Sequence, residues 1–188
     1  MMRFAAGFGI AVTAAYTIGI RLNMMALLPG YALGAASGAL VGQNLGAEKP
    51  QRAKKGAINA IKLYEFYLIP IGIAYFIFAP RIFALFTQDI SVIDNGIGYL
   101  RTISIFYPIF AIGAILIRTI NGAGKTIPPM IAIFIALYII QFPVVLFLSP
   151  IIGPDAIWYA IAAGMIGQGI IIIPYFISMK WAETGRMK

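Results

Sequence analysis

Five long apolar runs, divided by short polar ones, set the outline of this chain. They cover about residues 18–41, 56–79, 97–120, 127–148 and 156–179, here called segments A to E. At ~1.5 Å per residue each is long enough to cross a hydrocarbon core of ~30 Å. A basic stretch, Gln43 to Lys55, separates A from B, and Pro50 within it suits the start of a helix. Pro80 and Arg81 then open a short apolar piece, 82–87, expected at the membrane interface. A loop from Gln88 to Asn95, a tight loop from Asn121 to Thr126 and a turn from Ser149 to Asp155 separate the remaining segments. The expected fold is an all-α, polytopic helical bundle: five transmembrane helices plus a short N-terminal apolar segment, as one transmembrane domain over 1–188. Residues 4–20 barely reach the ~17 residues of a minimal span. They fit a short span, a secretory-signal-like run, or the end of a longer helix that starts upstream, and the last is favoured.

Segment A carries an unusual pattern. Gly30, Gly34, Gly38, Gly42 and Gly46 recur every fourth residue, with Ala32, Ala35, Ala36, Ser37 and Ala39 filling most gaps. In a water-exposed helix each glycine costs about 1 kcal/mol relative to alanine. In lipid, helices associate by close packing, and small residues four apart let backbones touch. The stretch is rich in Ala and Leu, so it does not read as a polar flexible linker. Gly30, Gly34 and Gly38 are therefore helix-packing positions.

Composition agrees: 61% of residues are hydrophobic and 11% charged, against ~45–50% and ~25% in soluble domains. With neither Cys nor His, disulfides and the usual zinc or copper ligands are absent, and no Ser–His or Cys–His nucleophile is possible. Gly124-Lys125-Thr126 ends like a phosphate-binding loop, but that motif needs glycine where Thr119 stands. No enzymatic activity and no cofactor are expected. The net charge of +8 is explained by sidedness. Lys49, Arg52, Lys54, Lys55, Arg118, Lys125, Lys180, Arg186 and Lys188 fall on one side. Arg3, Arg21, Arg81 and Arg101 fall on the other, with Asp89, Asp94 and Asp155. By the positive-inside rule the first side, with the C-terminus, is cytoplasmic. Basic loops then face anionic lipid, and no nucleic-acid partner is implied.

Each segment holds an interior proline: Pro29, Pro70, Pro108, Pro143 and Pro174. Each removes an N–H and crowds the carbonyl four residues back, so each predicts a kink. Tyr67, Tyr107, Gln141 and Gln168 are polar groups at membrane depth. Such groups face a bundle interior or an aqueous cavity. They are candidates for lining a substrate cavity, the alternative being plain interhelical hydrogen bonds. Glu65 is the only carboxylate inside a span and a candidate proton or sodium site. Its spacing from Lys62, three residues earlier, favours a neutralised pair instead. Gln43 and Asn44 are expected to cap the end of helix A.

Several ordered motifs then resemble one family. Val41-Gly42-Gln43-Asn44-Leu45-Gly46-Ala47, followed by Pro50 and Arg52-Ala53, is similar to the loop after the second helix of each lobe in the multidrug and toxic compound extrusion (MATE) family. Leu100-Arg101 through Tyr107-Pro108 is similar to the start of that lobe's fourth helix. Arg118, then Asn121-Gly122-Ala123-Gly124-Lys125-Thr126 with Pro128-Pro129-Met130, resembles a further family loop. Glu183 to Lys188 resembles the family's basic tail. The resemblance spans nearly the whole chain. It implies a twelve-helix transporter of two six-helix lobes, both ends cytoplasmic in a cell membrane, with this chain the C-terminal lobe and its first helix truncated. It further implies efflux of small amphiphilic or cationic substrates by H⁺ or Na⁺ antiport through alternating access. The partners would be the lipid bilayer and the N-terminal lobe, or a second copy of the chain. The family's cation-binding acids lie in the first lobe, or in the first and fourth helices of the second. Segment C, the fourth, has no acid between Ile97 and Ile120, so the coupling site is expected in the absent lobe. A lipid-linked or polysaccharide flippase of related fold, and a non-transporting membrane assembly protein or truncated remnant, are the alternatives.

Overall fold

The computed structural model describes residues 1–183. Of the motifs above, the end of the tail, with Arg186 and Lys188, lies outside them. Helix α1 (Met2–Gly7) turns at Gly9 into α2 (Ile10–Gly46). Gly9 has φ +105° and ψ 178°, a conformation essentially restricted to glycine. Helix α3 spans Pro50–Ala84, α4 Ile90–Ile105 and α5 Tyr107–Gly122. Helix α6 (Ile127–Phe134) widens into a π-helical stretch, Ile135–Gln141, and returns to α geometry as α7 (Phe142–Ile152). Helix α8 (Asp155–Ile177) and a 3₁₀ turn, Lys180–Ala182, close the described chain. Four helical elements are long and apolar enough to cross a membrane, and the bent pair α4–α5 makes a fifth.

Several helices outrun the polar boundaries read from the sequence. Helix A does not start at 18 but at Ile10, and Arg21 and Asn23 sit inside it. The Thr13 and Thr17 hydroxyls bond back to the carbonyls of Gly9 and Thr13, so polar residues do not interrupt the ladder. At 37 residues, α2 is about 55 Å long, well beyond the hydrocarbon thickness. Arg21 is thereby placed deep along the helix rather than at its outer end. Pro50 begins α3 as expected, so the basic residues 52–55 occupy its first turns. The acidic loop is shorter than expected because Asp89 caps α4, its carboxylate accepting from the N–H groups of Ser91 (2.8 Å) and Val92 (3.4 Å).

The prolines act in three ways. Helices α2, α3 and α8 continue through Pro29, Pro70 and Pro174. Pro108 follows a break at Phe106, where α4 and α5 meet at 58°. Pro143 stands just past the π-helical stretch. Pro80 does not open an interfacial piece, because α3 runs on to Ala84. It leaves the Phe76 carbonyl, four residues back, without its helical donor. Arg101 on α4 supplies a substitute: its Nε donates to that carbonyl at 3.3 Å, and its guanidinium lies 5.7 Å from the Phe76 ring centroid. Arg101→Met is expected to destabilise the fold by ~1–2 kcal/mol, because a hydrogen bond from a charged group is lost. An unchanged unfolding midpoint in detergent would argue against this repair.

Residue pairs across the interfaces fix the topology. Tyr75 donates to the Leu22 carbonyl (2.9 Å) and Tyr64 to that of Leu27 (3.4 Å), so α2 and α3 are antiparallel. The bond from Tyr107 to Asn23 (2.9 Å) and the Ser37–Thr119 hydroxyl pair (2.8 Å) make α2 and α5 parallel. Helix α8 runs parallel to α4–α5, with Trp158 against Tyr99 and Gly169 against Gly113. The α6–α7 element runs antiparallel to α8, with Gln141 against Gly164 and Ile140 against Gly167. This is the up-and-down order expected of consecutive membrane helices joined by short loops.

Three rungs of the glycine ladder, Gly34, Gly38 and Gly42, sit against α5. A β-carbon on Gly34 would lie 2.8 Å from Arg118 Cγ, and one on Gly38 2.9 Å from the Arg118 carbonyl oxygen. One on Gly122 would fall on the Gly38 backbone, and one on Gly42 would come within 3.0 Å of the Gly122 carbonyl oxygen. Gly46, by contrast, has nothing within 4 Å. Elsewhere rings are seated on glycines: Tyr64 on Gly30 and Phe83 on Gly96. Tyr16, Tyr99 and Trp158 form an aromatic cluster with centroid separations of 5.1–6.3 Å.

The tail after α8 does not begin as free polar chain. Met179 takes a left-handed conformation (φ 58°), and the chain folds back. Trp181 then stacks on Phe176 (5.0 Å) and donates to its carbonyl at 2.8 Å.

Candidate functional site: a polar cavity at mid-helix depth

Three elements deliver amides to one level of the bundle. Asn23 comes from α2, Gln141 from the end of the π-helical stretch, and Gln168 from α8. They line a cavity of about 260 Å³, whose remaining wall is Leu27, Tyr31, Phe110, Ile133, Ala136, Leu137, Ile161, Gly164 and Met165. Larger depressions exist. The groove between α3 and the α4–α5 break measures about 370 Å³, and that between α1 and α2 about 510 Å³. Their walls are almost wholly apolar, and the hydroxyls of Thr13 and Thr17 in the second are spent on backbone carbonyls. Orienting polar groups in an otherwise apolar hollow are the mark of a small-molecule site, and the amide cavity alone among these three has them free.

Local structure explains the convergence. In a π-helical stretch each turn holds an extra residue, which shifts side chains relative to a regular helix. Gln141 leaves this stretch facing α8, where Gly164 has no side chain to block it. A β-carbon there would lie 2.7 Å from Gln141 Oε1. On the opposite wall, Asn23 Oδ1 accepts from the Tyr107 hydroxyl. This fixes the amide so that its NH₂ remains available as a donor. Tyr31 closes one end, with the Arg118 guanidinium 5.6 Å from its ring centroid.

The sequence candidates divide accordingly. Gln141 and Gln168 are brought together on the cavity wall. Tyr107 is not a wall residue. Its ring is 1% exposed and acts through Asn23. Tyr67 lies elsewhere, stacked on Tyr64 at 6.4 Å. Glu65 and Lys62 do not pair: both Glu65 oxygens are buried without a hydrogen-bond partner, while Lys62 is exposed. Gln43 and Asn44 do not cap α2 with their side chains. Asn44 bonds back to the Leu40 carbonyl (2.7 Å), and the Ala47 N–H closes the end on the Gln43 carbonyl. Gly124 takes φ +78° in the loop after α5, which makes it a turn residue. Asn23, Tyr31 and Gly164 were missed. An asparagine embedded in an apolar helix, as Asn23 is in α2, is itself a signal of a polar interior.

Long apolar helices in up-and-down order around a polar hollow define a multi-pass helical membrane protein. The chain belongs to the MatE family, whose model matches residues 1–147. It is 25% identical over 177 residues to a probable multidrug resistance protein NorM of Thermotoga maritima, covering 93% of this chain and 38% of that protein. It is 24% identical over 183 residues to an FAD transporter of Shewanella oneidensis, covering 97% and 40%. Its fold matches a variant of the Vibrio cholerae MATE transporter VcmN (TM-score 0.85, 19% identity, 97% of this chain and 42% of that one). It also matches the eukaryotic MATE transporter AtDTX14 (TM-score 0.82, 21% identity, 91% and 39%). The chain thus spans about two fifths of the length of the relatives it matches.

Proposed function

We propose that this chain forms the C-terminal lobe of an ion-coupled exporter of small amphiphilic molecules. The observation that carries the reading is the amide-lined cavity, assembled from separate helices at one depth. Secondary transporters hold substrate near the bilayer midplane and expose it alternately by rocking one repeat against another. At about 260 Å³ the hollow is slightly smaller than the ~300–1,000 Å³ of ordinary ligand pockets. It therefore holds part of a substrate, and an N-terminal lobe opposite it completes the enclosure. The wall has amide donors and acceptors and no carboxylate, and Arg118 already occupies the neighbourhood of the Tyr31 ring. This wall favours a hydrogen-bonding amphiphile over a bare organic cation. A lipid-linked saccharide flippase would call for a wider, more basic wall, and among the described residues no Lys or Arg lines this one, which sets the flippase reading behind. The basic residues Lys49, Arg52, Lys54, Lys55 and Lys125 at the α2–α3 and α5–α6 loops support, by the positive-inside rule, a cytoplasmic side for these loops and for the C-terminus. H⁺ or Na⁺ supplies the driving gradient.

The test is efflux from proteoliposomes holding the two-lobe transporter, using a fluorescent amphiphile and an imposed H⁺ or Na⁺ gradient. Gradient-dependent movement is expected. Efflux that persists after both gradients are collapsed would remove antiport. No movement under either gradient would support an assembly protein instead.

A further inference from the structure

Glu65 stands apart from every other acid in the described chain. Glu48, Asp89, Asp94, Asp155 and Glu183 are exposed. Glu65 is half-buried, and both of its carboxylate oxygens are shut away from solvent with no hydrogen-bond partner among the described residues. Lipid or a second lobe placed around the bundle covers these atoms further and does not uncover them.

The charged and titratable groups nearby are otherwise engaged. On α3, Lys62 is exposed, Tyr64 donates to the Leu27 carbonyl, and Tyr67 stacks on Tyr64. On α2, Tyr31 lies beside the Arg118 guanidinium of α5. Tyr107, also on α5, is bonded to Asn23. Arg101 on α4 is held at the Phe76 carbonyl. None of them hydrogen-bonds Glu65. An ionised carboxylate in such a place loses its hydration with nothing in return, a penalty of several kcal/mol. The neutral acid avoids that penalty. A hard metal cation gathers several oxygen ligands at once, and among the described residues no group of three or more His, Cys, Asp or Glu side chains stands together to hold one. A proton needs only the one carboxyl.

We propose that Glu65 is a proton-binding site, occupied in this conformation and emptied when movement of the helices lets water reach the carboxyl. The step is a simple transfer: the O–H proton passes to water, and a carboxylate remains. If the exporter reading holds, Glu65 places a coupling proton inside this lobe. The exporter reading supplies that purpose, but the site itself is tested without transport.

The experiment is infrared spectroscopy of the chain in lipid vesicles at near-neutral pH, with and without ¹³C-carboxyl glutamate. The chain has only three glutamates, Glu48, Glu65 and Glu183. Glu48 and Glu183 are exposed, and the Glu65→Gln comparison separates their signal from that of Glu65. A neutral-carboxyl stretch is expected, shifted by the label and missing from Glu65→Gln. Absence of the band, a band the label does not move, or a band that survives Glu65→Gln overturns the site. Where Glu65→Gln fails to fold, the labelled native chain decides alone. Gradient-independent efflux with the band intact strikes the exporter reading only, and loss of the band with efflux intact strikes Glu65 only.

Discussion

The Gly122→Val variant is expected to lose much of the stability of the bundle. Gly122 lies against Gly38 so closely that a β-carbon would coincide with the Gly38 backbone. Backbone has no rotamer to yield, so α2 and α5 must separate. That separation also strains the Ser37–Thr119 bond one turn away. Overpacking costs ~1–3 kcal/mol where side chains can adjust, and here they cannot, so the upper end applies; for a chain of this size that is a fall in melting temperature of about 5–10 °C. The buried indoles of Trp158 and Trp181 report unfolding by fluorescence. Gly46→Val is the control, since Gly46 meets nothing within 4 Å, and its melt is expected to stay close to the parent's. Equal melts for the two variants would mean that the backbones of α2 and α5 do not touch.

The second large effect is on ligand rather than fold. Gly164→Leu fills the cavity from the α8 side and displaces Gln141, whose oxygen sits where the new side chain begins. Substrate affinity is expected to fall at least about tenfold, equivalent to ~1.4 kcal/mol, while the protein still folds because the hollow accepts the added volume. Gln168→Ala removes one hydrogen-bonding group and leaves the space, so its effect is expected to be smaller. Efflux by the two-lobe transporter with Gly164→Leu and the parent, compared across substrate concentrations, checks both. Parent-like affinity in Gly164→Leu would place the substrate outside this cavity.

What could be read from the residues alone follows from the range of the interactions. The glycine ladder was legible because its four-residue period is a property of one helix. Gln141 and Gln168 were legible as polar intruders in apolar runs, and both line the cavity. The link from Tyr107 to Asn23 was not legible. It joins residues 84 apart, and only helix packing reveals it. Lys62 and Glu65 misled in the opposite sense. Their spacing allows a pair, yet burial of one end and exposure of the other separate them. A helix end was misplaced for a similar reason: Pro80 looked like a boundary. Pro80 lies in the last turns of α3, where Arg101 takes up the freed carbonyl.

The rings seated on glycines carry a consequence for how such a sequence can change. At Gly30 with Tyr64, and at Gly96 with Phe83, one helix gives up all its side-chain volume and its neighbour supplies it. The quantity preserved is the sum across the pair, not the residue at either place. A drift toward alanine or serine at the glycine is therefore tolerable only after the facing ring has shrunk, and the reverse order passes through an overfilled state. These positions are bound to vary as couples, and a lineage that exchanges the roles of the two helices must first pass through a cavity.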